Sequence, residues 1–120
     1  MVFDPINFLN EFKNIHNNII TLAFPNTPPS TIDNILLEII NETYSMLTIR
    51  LKGILNFNNL TSQELDAIEF ILRKEVLGNL YIRANKPTIA QEYLKSSEEF
   101  IQYIVNNQNN ESIIDIDDLI

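Results

Sequence analysis

The chain reads as an all-α protein, a four-helix up-and-down antiparallel bundle with a flexible acidic C-terminal tail, and three features predict it. Apolar residues recur at three- and four-residue spacing through four long segments. Short runs rich in Pro and Asn part those segments. No stretch before residue 112 alternates polar and apolar residues as a half-buried strand would. A chain of 120 residues closes one core, drawn here at 1–108, with 109–120 as the tail. Rods of about 20 residues are about 30 Å long, and short links between them favour antiparallel neighbours.

The first helix opens at Asp4 and Pro5, an N-cap followed by a residue whose missing N–H costs nothing in the first turn. Phe8, Leu9, Phe12, Ile15, Ile19, Ile20 and Ala23 then share one face as far as Phe24. There PNTPPS breaks the helix, because each proline disfavours helix at the residue before it. The second helix, from Ser30 to about Leu55, carries the broadest apolar arc, which includes Ile35, Ile39, Met46, Leu47 and Leu51. Only a narrow strip of it is polar, so it is expected to be the central element, covered on two sides or sharing a subunit contact. Ser30 with Asp33 has the spacing of a capping box, and Gly53 followed by NFNN marks the exit.

Thr61 and Glu64 form a second such box and open the third helix. Its buried side is expected to change near Gly78, where the helix either bends or stays straight and is covered on two sides. Asn85, Lys86 and Pro87 end it, and Thr88 with Gln91 has the spacing of a third box. The fourth helix sets Ala90, Tyr93, Leu94, Phe100, Ile101 and Ile104 against a polar face that holds Glu98 and Glu99. Ser97 falls on the apolar side, where a small residue allows close helix approach.

Composition excludes several function classes. The net charge of −8 and pI near 4.4 disfavour direct nucleic-acid binding, which needs a concentrated basic surface. The absence of cysteine excludes disulfides and thiolate metal sites and is compatible with a reducing cytoplasm, the expected location. No apolar run reaches the roughly 18 residues of a membrane span, and no cleavable leader is read at the start. Two glycines cannot build a Gly-rich phosphate loop. No cofactor or metal is expected.

Few constellations carry chemistry. His16 is the lone histidine, on the apolar stripe of the first helix with no second ligand or base beside it, and is read as a core or interface residue. Arg50 and Glu75 both project into apolar arcs and are expected to pair across the contact between the second and third helices, because burying either charge alone costs several kcal/mol. Failing that pairing, Arg50 becomes a contact for an acidic partner.

The tail is the strongest functional lead. Ile113, Ile114, Asp115, Ile116, Asp117, Asp118, Leu119 and Ile120 follow an Asn-rich tether and read as a partner-docking segment, an added strand or a short helix. The segment resembles the acidic tip of bacterial single-stranded DNA-binding proteins, which recruits other proteins. That tip ends in Pro-Phe, whereas this one ends in Leu119 and Ile120. IAQEYLKSSEEFIQYI, residues 89–104, is similar to a helix of helical-repeat proteins or of the HEPN family, some members of which cleave RNA. The Arg-x4-His motif of those members is absent, because Leu55, Gly78 and Thr88 stand five positions after Arg50, Arg73 and Arg83.

The expected function is therefore a non-enzymatic acidic adaptor or accessory subunit that binds another protein through its surface and tail. An inhibitor or immunity protein of phage or plasmid type, blocking a basic site on an enzyme or nucleic-acid-binding protein, is the alternative. Surplus apolar surface on the second helix also points to a homodimer.

Overall fold

The computed structural model describes residues 1–107, and among these the chain is all-helical. It forms α1 (Pro5–Ile15), α2 (Asn17–Ala23), α3 (Pro29–Arg50), α4 (Ser62–Arg83) and α5 (Pro87–Asn106). The expected tail lies outside the described residues.

Among the described residues five helices stand where four were expected, because the first is broken at His16. That residue leaves the helical region (φ −114°, ψ 30°) and serves both neighbours as a cap. Its N–H donates to Phe12 O at 2.9 Å, and its carbonyl accepts from Ile20 N–H at 3.2 Å. The break redirects the chain, so that α1 packs chiefly on α3 and α2 on α4. It also takes Ile15 out of the apolar stripe, leaving it 65% exposed, while Phe8, Phe12, Ile19 and Ile20 stay buried.

The helix starts follow one rule. A residue before proline is driven extended, which is N-cap geometry, and proline itself fits the first helical position. Asp4 before Pro5 accepts from the N–H groups of Ile6 and Asn7. Pro28 before Pro29 (ψ 143°) and Lys86 before Pro87 occupy the same place without a side-chain cap. The capping boxes expected at Ser30 and Thr88 therefore do not form, since each hydroxyl already lies inside the first turn. Thr61, with no proline beside it, makes its box in full: its Oγ1 accepts from Glu64 N–H at 3.1 Å, and Glu64 Oε1 accepts from Thr61 N–H at 2.9 Å.

The central element is α4, not α3 as the sequence pattern suggested. α4 touches α2, α3 and α5, and it buries Ala67, Ile68, Ile71, Leu72, Val76, Leu77, Gly78 and Leu80. It runs unbroken through Gly78 and is covered on two sides, the second of the two alternatives. α5 lies antiparallel along it, as shown by the facing pairs Phe70/Phe100 and Tyr81/Tyr93, with ring centroids 4.8 and 5.4 Å apart. Between them Gly78 faces Leu94 so closely that a Cβ on the glycine would lie 2.6 Å from Leu94 Cδ2 and 2.7 Å from its Cγ. The helix ends in a Schellman turn, with Asn85 at φ 60° and Lys86 N–H donating to Tyr81 O at 2.8 Å.

α3 carries the rest of the core on Leu36, Ile39, Ile40 and Leu47. α1 lies antiparallel on it, held by Phe3 stacked on Tyr44 at 4.6 Å and by Lys13 paired with Asp33 at 2.8 Å. The α3–α4 loop is anchored by buried Leu51, Leu55 and Leu60, and Leu60 exchanges backbone hydrogen bonds with Met1, both at 2.8 Å. Leu51 lay on the apolar arc that periodicity assigned to the second helix, whereas periodicity gave no sign of Leu60, because it belongs to no helix.

Candidate functional site

The last two turns of α3 sink only Leu47 fully into the core. Met46, read from sequence as part of a covered arc, is 58% exposed, and Ile49, which that arc did not include, is 70% exposed. The reason is geometric: Leu47 turns inward onto the core, and its neighbours on the helix are carried around to the outer side.

Beside them α3, α4 and α5 enclose a cleft of about 380 Å³, lined by Glu42, Thr43, Met46, Leu47, Arg50, Glu75 and Ile101. A shallower groove lined by Asn41, Glu42, Ser45, Met46 and Ile49 continues from it along α3. Met46 and Glu42 belong to both.

The polar groups of this cleft are arranged differently from the expected Arg50–Glu75 ion pair. Arg50 instead forms a forked pair with Glu98 of α5, Nη1 donating to Oε2 and Nη2 to Oε1, both at 2.8 Å. Gln102, one turn further along α5, donates to the same carboxylate at 3.2 Å. The hydrogen bonds from Arg50, then that from Gln102, hold the Glu98 carboxyl below the usual carboxylate range. Glu98 in turn raises the Arg50 guanidinium against the opposing effect of burial. Arg50 also sits in the last turn of α3, where a cation meets unpaired carbonyl groups favourably. Both side chains remain partly in water, 34% and 50% exposed, so the pair contributes little to stability.

Glu75 is half-buried and accepts from Ser97 Oγ at 2.6 Å. Ser97 is fully buried, so its hydroxyl is satisfied by this one carboxylate and fastens α5 to α4. Glu75 still contributes to the field at Arg50. Arg50 and Glu75 thus border one cleft without contacting each other as an ion pair. Nothing local marked Glu98 as the partner, for it lies 48 positions from Arg50 and maps to the polar face of its helix.

His16 lies away from this cleft, its ring 4.7 Å from Phe12 and its Nε2 buried without a hydrogen-bond partner. Burial and, to a smaller degree, the charge of Arg73 lower its pKa, so the ring is neutral at physiological pH. Ile113, Ile114, Asp115, Ile116, Asp117, Asp118, Leu119 and Ile120 lie outside the described residues. Among the described residues no group of three or more His, Asp or Glu is placed to hold a metal ion, and no helix is long and apolar enough to cross a membrane.

An exposed apolar ridge, Met46 and Ile49, borders a cleft whose rim carries carboxylates, and the hydroxyl of Ser97 is committed to structure. No family model, curated protein or solved structure matches the chain.

Proposed function

We propose that this chain is a non-enzymatic helical adaptor or accessory subunit that binds another protein in the cytoplasm. Its rods pack up and down around α4, the α3 end of the bundle forms one contact, and residues 109–120 form a second. The single observation that carries this reading is the exposure of Met46 and Ile49 beside the cleft, an apolar ridge that the rest of the fold leaves uncovered. The acidic rim supports a second reading, an inhibitor that lays its carboxylates on a basic site.

Affinity purification from the native host tests the proposal with the full chain, with Met46→Ser/Ile49→Ser, and with residues 109–120 removed. A stoichiometric partner that is depleted by either change is the expected result. Recovery of no stoichiometric partner, or of one indifferent to both changes, overturns it. The partner's own activity then separates the two readings: an adaptor leaves that activity intact, and an inhibitor abolishes it.

A further inference from the structure

We infer that the cleft between α3, α4 and α5 takes a basic amphipathic segment of the partner, which lays an apolar side chain on Met46 and Ile49 and turns a Lys or Arg towards Glu42 and Glu75. This rests on the protein-binding reading above and specifies the partner's chemistry.

Charge decides the occupant. Both terminal nitrogens of Arg50 are engaged by Glu98, so the one cation lining the cleft is already neutralised. Glu42 and Glu75 have no cation within 4 Å among the described residues. Glu75 spends one oxygen on Ser97, which leaves the other open to a donor. An occupant therefore has to bring apolar surface and positive charge together.

Two occupants drawn from this chain fail that requirement. Residues 108–120 contain Glu111, Asp115, Asp117 and Asp118 and no Lys or Arg, so folding them back would add negative charge to a negative rim. A second copy would bring a net charge of −8 against −8. A helix with apolar residues at three- and four-residue spacing and Lys or Arg on its flank supplies both parts at once. The field of the acidic molecule would steer such a segment in, so association should slow as salt is added.

The test uses the full chain with its Met and Ile methyl groups isotopically labelled, titrated with a short amphipathic peptide of Leu and Lys. The control peptide has Glu in place of every Lys. Saturable shifts of the Met46, Ile49 and Ile101 methyl signals with the Lys peptide, none with the Glu peptide, and affinity weakened about tenfold or more by Glu42→Gln/Met46→Ser are expected. Glu42 and Met46 are both exposed, and an unchanged melting temperature confirms that this variant keeps the fold.

Unsaturable shifts spread over all the isoleucines, or equal binding of the Glu peptide, overturn the inference. So do cleft signals that move when the chain is diluted, which would mark a second copy as occupant, or when residues 108–120 are removed, which would mark the chain's own segment. A native partner whose binding survives the cleft substitutions but not removal of 109–120 defeats the cleft while leaving protein binding intact. Failure to recover any native partner tells against the broader function, and the peptide titration is read independently of it.

Discussion

The Ser97 hydroxyl donates to Glu75 from a fully buried position, so Ser97→Ala leaves a half-buried carboxylate without that donor. The expected cost is about 1–3 kcal/mol. Arg50→Met removes a pair that water already screens, and the expected loss is below about 1 kcal/mol. Urea denaturation of the two variants should therefore rank them opposite to a ranking by charge. A second residue-scale outcome concerns pH. The folded pKa of His16 lies below its ordinary value of 6.5, so the unfolded chain takes up the proton first as pH falls. Stability is then full above pH 6.5 and declines as pH drops from there towards the folded value. His16→Gln should reduce the slope of the denaturation midpoint between about pH 7.5 and 5.5, since His16 is the one histidine of the chain. In the sequence, Ser97 was legible as a small residue on an apolar face. Its acceptor, the Glu98 partner of Arg50 and the break at His16 were not, because each depends on how separate helices are laid together.

Helix boundaries were legible wherever one local rule acted alone. Thr61→Ala should cost about 1 kcal/mol, because it removes one half of a formed capping box. Ser30→Ala and Thr88→Ala should stay within about 0.5 kcal/mol, as expected of exposed positions that cap nothing. Chemical denaturation of all three variants checks whether the preceding proline, rather than the hydroxyl, sets those two starts. The exchange of roles between α3 and α4 was harder to read. Periodicity measures how much of a helix is apolar, but what covers that surface depends on close approach, which α4 gains at Gly78. Gly78→Ala gains helix propensity of about 1 kcal/mol, yet the new methyl meets Leu94 at Cγ as well as at its tip, so the whole side chain must move. The expected net effect is destabilising in the wild-type background. With Leu94→Ala in place the overlap is gone and the same substitution should stabilise by about 1 kcal/mol, and thermal melts of this double-mutant cycle read the change of sign directly.

At the scale of the whole molecule, two properties pull in opposite directions. The exposed ridge of Met46 and Ile49 favours association, and a net charge of −8 opposes association with any other copy. Composition made the charge legible and the arc of α3 made surplus apolar surface legible, but only the packing shows that the uncovered part lies at the α3 end beside the carboxylates. Repulsion between copies weakens with added salt, and it vanishes as pH approaches the isoelectric value near 4.4. Light scattering at neutral pH and low salt should therefore return a mass close to the 13.9 kDa monomer. Larger species should grow in as salt is raised or pH lowered. If the ridge is the adhesive surface, Met46→Ser/Ile49→Ser removes that growth at unchanged net charge. If instead a low-salt dimer persists in the variant, the contact lies on another face, and the carboxylates around the cleft would no longer be what keeps copies of this chain apart.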